Sequence, residues 1–235
     1  MHGSHLIGLG LTLGQDSTQL DLWPLFRQSF DGFTITLLIG SLVAVAWIFR
    51  VMIDIRRPVI QPPRSSAALD RALSSGKLNQ VEQVVSGDSA FVSRVVAQAL
   101  EHKALGERAM RDAGELQASI ESARWFRRLE LLNVIGNLGP LVGLAGTVWG
   151  MILAFASLGE TGGAAGPTDL SLGISKALFH TLLGLLLAVP CLLVFGIYRG
   201  VADRICTDAM AEAARATDRA IELAHPDASE AGDQA

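Results

Sequence analysis

LELLNVIGNLGPLVGLAGTVWGMILAFASL, residues 129–158, decides the fold. From Leu131 onward it carries no formal charge. At about 1.5 Å per helical residue it is long enough to cross a bilayer with some tilt. Gly136, Gly139, Gly143, Gly146 and Gly150 recur every three or four residues, so on a helix they line one side as a smooth stripe. Gly139/Gly143 and Gly146/Gly150 are small-xxx-small pairs, which let a second backbone come close. Thr147 stands within the stripe, and Pro140 deletes one backbone donor. Taken alone, these features ask for helix packing and nothing more.

The whole chain has the composition of a membrane protein. Hydrophobic residues make up 50% of it, aromatics only 6%, and the mean hydropathy is positive. A net charge of −4 is too small to point to nucleic acid or an acidic polymer as a partner. Cys191 and Cys206 are too few for a disulfide framework, and both are expected to be reduced. The five histidines are scattered, with none at metal-ligand spacing, and no metal or other cofactor is expected.

Outward from this stretch, the basic clusters set a topology. Residues 33–53 form a first span, uncharged from Phe33 to Phe49 and followed by Arg50, Arg56 and Arg57. Arg124, Arg127 and Arg128 precede the second span, residues 129–158, while Arg199 and Arg204 follow the third, residues 170–198. The loop between them, residues 159–169, holds two acids and no base. Placing every basic cluster in the cytoplasm gives three spans, with the N-terminus outside and the C-terminus inside. Residues 1–32 are then an N-terminal periplasmic segment. Its opening MHGSH is tag-like, Gly8, Gly10 and Gly14 form no nucleotide loop, and residues 20–30 fit a short amphipathic surface helix.

Residues 54–128 read as a cytoplasmic helical domain. Pro58, Pro62 and Pro63 break the chain after the first span, Ser66 reads as a helix cap, and Gly76 and Gly87 read as breaks. Phe91, Val92, Val95, Val96, Ala99 and Leu100 mark one helix face. Met110, Leu116, Ile120, Ala123 and Leu129 form a second pattern that runs into the second span, predicting one helix of about 45–50 residues and about 70 Å. Residues 199–224 are expected as a final amphipathic cytoplasmic helix and residues 225–235 as a disordered tail.

The third span places Lys176, His180 and Thr181 among apolar residues. Ionisable groups in spans are costly and usually face a bundle interior or water. Lys176 and His180 share a face at i, i+4. For Lys176 two readings stand: an end residue that snorkels to the headgroups, or a charge in the bundle. For His180 they are a neutral packing residue or a proton-responsive group. Thr147 lies eleven residues before Leu158 and Thr181 eleven after Leu170. An antiparallel pair would hold both at one depth, about 16 Å from the outer end. Each hydroxyl then either bonds to its own helix or contributes to a shared polar path.

Together, GNLGPLVGLAGTVWGMILAF and GISKALFHTLLGLLLAVPCLL resemble the second- and third-span signatures of the MotA/TolQ/ExbB proton channel family, closest to its ExbB/TolQ branch. The resemblance implies an all-α membrane protein of three transmembrane helices with long cytoplasmic helical extensions, assembled as a pentamer around a central pore. An ExbD- or TolR-like single-span protein would occupy that pore, its aspartate carrying the proton. Thr147 and Thr181 would line the route, with Lys176 and His180 as further pore candidates. Gly139, Gly143, Gly146, Gly150, Pro140 and Pro190 would serve helix packing. Proton flow would drive a TonB- or TolA-like protein across the periplasm. Lys176 departs from the pattern, which often has glutamate there. That departure is the best support for a non-conducting membrane scaffold of the same fold. A membrane enzyme is set aside for want of a nucleophile–base pair or a phosphate loop.

Overall fold

A computed structural model describes residues 30–160 and 166–226. The surface helix expected over residues 20–30 and nearly all of the polar tail lie outside the described residues. α1 (Gly32–Asp54) begins at Asp31, whose carboxylate accepts the Thr34 backbone N–H at 3.0 Å and caps the helix. The prolines then divide the chain into α2 (Arg57–Ile60) and α3 (Pro63–Ser74), followed by α4 (Leu78–Ser86) and α5 (Phe91–Glu101). Gly76 and Gly106 take positive φ, 68° and 93°, in the turns after α3 and before the next long helix. Ser66 is not a cap. α3 starts three residues earlier with Pro63 at its first position, where a missing N–H costs nothing.

Two helices carry most of the molecule. α6 (Glu107–Glu160) has 54 residues and α7 (Pro167–Ala224) has 58, so each is about 80–90 Å long. α6 therefore joins the helical domain to the second span without a stop, as the periodicity predicts. α7 corrects the expected division at residue 199, because it continues unbroken through the third span and the amphipathic segment. No helix ends at Arg199. Pro140 and Pro190 both sit inside these helices.

α1, α6 and α7 are each long and apolar enough to cross a membrane. α6 and α7 run antiparallel along their length, and α1 runs parallel to α7. Asp31 meets His180, Gly40 lies against Leu187, Arg57 pairs with Asp208 at 3.6 Å, and Gln61 bonds to Glu212 at 3.0 Å. At the basic end Trp47 Nε1 donates to the Arg128 carbonyl at 2.8 Å, and Arg128 pairs with Asp54 at 3.2 Å. α1 thus starts thirteen residues along α7, about 20 Å short of the loop end of the α6–α7 hairpin.

Beyond the spans, α3, α4 and α5 pack on the extended parts of α6 and α7. Their shared core holds Leu69, Val81, Val96, Met110, Ala209 and Ala213. All six apolar residues expected on the α5 face are buried there. The expected α6 face holds only in part: Met110 and Leu129 are buried, whereas Leu116 and Ile120 are exposed. Gly114, Ala118 and Glu121 take the inward positions instead. Glu121 is buried but paired with Arg94 at 3.0 Å and Arg124 at 3.6 Å.

Candidate ion pathway at the second and third spans

The glycine stripe of α6 is the seam on which α7 rests. A Cβ at Gly143 would stand 2.7 Å from the His180 carbonyl oxygen and 3.0 Å from Thr181 Cα. One at Gly146 would stand 2.8 Å from the His180 side chain, and one at Gly150 2.9 Å from Ala177 Cβ. On the other side, a Cβ at Gly184 would come within 2.6 Å of the Gly139 carbonyl oxygen. Only hydrogen fits at these places, so the small-residue spacing is used within the chain, between its own second and third spans.

This close approach positions the threonines. The Thr147 hydroxyl donates to the Leu144 carbonyl of its own helix at 2.6 Å, and the residue is 7% exposed. The Thr181 hydroxyl reaches across the seam toward the Gly143 carbonyl at 3.4 Å, a long bond. Gly143 lies one turn from Thr147, so the two hydroxyls stand within about a turn of each other in height. Both protons are directed to backbone carbonyls, and each oxygen keeps lone pairs that can accept from water or a partner. Pro140 and Pro190 lie further toward the basic end; Pro190 is exposed.

His180 sits beside Thr181 and is 2% exposed. Its Nε2 lies 3.0 Å from Asp31 Oδ1, and Phe33 meets its ring edge-on at 6.2 Å. Nδ1 is buried and has no hydrogen-bond partner among the described residues. Partial burial pushes the Asp31 carboxyl up, but the Thr34 N–H and His180 outweigh it and hold the group below its ordinary value. Asp31 is the functional candidate that sequence reasoning missed. An Asp just before an uncharged run is a helix-cap signal, and that is the one trace it leaves in the sequence. Lys176, one turn further toward the loop, is half-buried and makes no ion pair among the described residues.

No three His, Cys, Asp or Glu side chains converge among the described residues. The model of the MotA/TolQ/ExbB proton channel family matches residues 87–210, which include the seam, both threonines and His180. The chain belongs to this family. Biopolymer transport protein exbB1 of Vibrio cholerae is 30% identical over 187 residues, covering 76% of this chain and 75% of that one. Biopolymer transport protein ExbB of Xanthomonas campestris is 31% identical over 144 residues, 59% of this chain and half of that one. A putative ExbB-like protein of Synechocystis reaches 44% over 85 residues, about a third of each chain. These relatives place the chain on the ExbB/TolQ-like branch, and with its three apolar helices mark it as a membrane protein.

Proposed function

We propose that this chain is the channel subunit of an inner-membrane, ExbB/TolQ-like motor that turns proton motive force into mechanical work on the periplasmic side. In this role it is a homopentamer, N-terminus periplasmic and C-terminus cytoplasmic. An ExbD/TolR-like helix stands inside it, and a TonB/TolA-like protein receives the motion. One observation carries the reading: two spans of a family-matched segment hold Thr147 and Thr181 within about a turn of each other in height, beside a seam too tight for any side chain. Hydroxyls in that position pass a proton by donating to one neighbour while accepting from another. The oligomer and the surrounding lipid together account for the apolar residues that α6 and α7 leave exposed, from Leu138 to Phe155 and from Leu172 to Ile197.

Proton flux into liposomes holding this chain and an ExbD/TolR-like single-span protein tests the role. Flux that needs both chains, and falls about tenfold when Thr181 becomes Val, is the expected result, since one hydrogen bond of about 1.4 kcal/mol is worth that factor. Absence of flux from a well-assembled complex refutes it and favours the scaffold of the same fold, for which Lys176 is the specific support.

A further inference from the structure

We propose that Glu130, Asn133 and Asn137 form a wetted polar lane along α6, from its basic end to the middle of the membrane. The lane rests on the proposed ion-conducting role for its use, but its placement follows from geometry. The three side chains climb one side of the helix as a ladder. Asn137 Nδ2 donates to the Asn133 backbone carbonyl at 2.7 Å and to Asn133 Oδ1 at 2.8 Å, and Asn133 Nδ2 donates to Glu130 Oε1 at 2.9 Å. These donors all point one way, toward the carboxylate. Asn137 Oδ1, at the upper end, accepts nothing among the described residues. Asn137 and Glu130 are exposed, and Asn133 is half-buried.

Depth makes these amides informative. Trp47 meets the Arg128 carbonyl, and α1 and α6 run in opposite directions. Counting from that contact sets Asn133 level with Leu42 and Asn137 level with Leu38, near the middle of the uncharged run of α1. Neither α1 from Gly32 to Phe49 nor α7 from Thr181 to Tyr198 carries a charge or an amide side chain. A carboxamide set against lipid tails forfeits its hydrogen bonds to water, so such groups turn to a bundle interior or to water. Their side of α6 is open: α7 covers the glycine stripe, and Ile135 and Val142 pack into the cluster they share with Leu37 and Ala44 of α1. At about 100° per residue, Asn133 and Asn137 stand about 160° round the helix from Ile135. Thr147 lies fourteen residues beyond Asn133, nearly four turns, and so within about 40° of the same side. The amides therefore line up below Thr147, on the side of α6 away from α1. Carboxamides do not hand on a proton themselves; each offers donors and an acceptor that hold water, and the water passes it. From Asn137 to the level of Gly143, where Thr181 reaches across, is about 9 Å, a short file of water.

A charged, water-borne methanethiosulfonate tests the placement on the full chain reconstituted in nanodiscs with an ExbD/TolR-like protein. The reagent attacks a thiolate, which forms in contact with water. Asn137→Cys is compared with Ile39→Cys, at the same level on the outer side of α1 and 60% exposed; the native Cys191 and Cys206 are buried and set the background. Labelling of Asn137→Cys about tenfold faster than Ile39→Cys is the expected result. Equal, slow labelling overturns the lane, because the amides then face lipid or a dry contact. Flux in liposomes tests the use. Asn133→Leu combined with Asn137→Leu should lower it about tenfold in a complex that still assembles on size-exclusion chromatography, while Asn133→Ser combined with Asn137→Ser keeps it within about twofold. Equal loss in both pairs makes the role one of packing and overturns the path, as does full flux through the leucine pair. No flux from the unsubstituted complex, together with fast labelling of Asn137→Cys, removes the motor role and leaves the wetted lane standing.

Discussion

Gly143→Ala tests the seam where it is tightest. The added methyl would lie 2.7 Å from the His180 carbonyl oxygen and 3.0 Å from Thr181 Cα, both backbone atoms that cannot swing aside. Restoring ordinary contact requires the helices to part by about 0.7 Å, and overpacking of this kind costs about 1–3 kcal/mol. Alanine also raises helix propensity over glycine by about 0.5–1 kcal/mol, which works the other way. Gly196→Ala provides the reference, because a Cβ there meets nothing within 4 Å on the same helix system. The difference between the two variants isolates the contact. Thermal unfolding of the full chain in nanodiscs should place Gly143→Ala below Gly196→Ala by that 1–3 kcal/mol. Parting the helices also breaks the long Thr181-to-Gly143 bond, so loss of flux should accompany loss of stability. If Gly143→Ala unfolds together with Gly196→Ala, α6 and α7 do not meet through the stripe and the site geometry is wrong.

Arg94→Met should destabilise the helical domain by about 1–2 kcal/mol, less than a fully buried pair because Arg94 is partly exposed. Adding Glu121→Gln should recover part of that loss in urea titrations, since the carboxylate then no longer lacks its partner; no recovery would rule out the pairing. Partial burial pushes the Asp88 carboxyl up, but the Ser93 hydroxyl and Ala90 N–H, with Ser65 and Ser89, hold it below its ordinary value. Its stabilising effect is therefore complete above about pH 4 and lost as pH falls further, and Asp88→Asn should flatten stability against pH in that window. Cys191 and Cys206 are both buried, and burial pushes the Cys206 thiol up, so maleimide should label neither until the protein unfolds. Rapid labelling of the native protein would contradict the α7 packing. Lys176→Glu should leave assembly intact on size-exclusion chromatography and change only the pH dependence of flux; loss of assembly would give Lys176 a structural role.

The parts of this fold that show in the sequence are those set by helix geometry alone. Glycines every three or four residues declare a seam because a helix has a fixed pitch, and the α5 face declares itself because its inward residues are large and apolar. Where α6 buries Gly114 and Ala118, the same test fails, since small residues carry little hydropathy, and it selects the exposed Leu116 and Ile120 instead. A basic residue such as Arg199 after an apolar run signals the end of a span and says nothing of where the helix ends, and α7 continues unbroken past it. Counting from the loop gives the similar heights of Thr147 and Thr181 on the two helices. Asp31 was not legible in this way, because its partner lies 149 residues away and the meeting depends on how far along α7 the first helix begins.

That offset also bears on how a lysine comes to stand in a span. The uncharged run of α1, residues 32–49, is about 27 Å long, close to the thickness of a hydrocarbon layer. It lies beside α7 from His180 to near Arg199, with Asp31 at one limit and Arg50 at the other. If α1 sets the depth of the apolar layer, His180 stands at its rim and Lys176 one turn beyond. Its charge then costs little in desolvation, even though hydropathy along α7 continues past it. Either sign of charge would be tolerable there, because the position is governed by the depth of α1 rather than by the apolar length of α7.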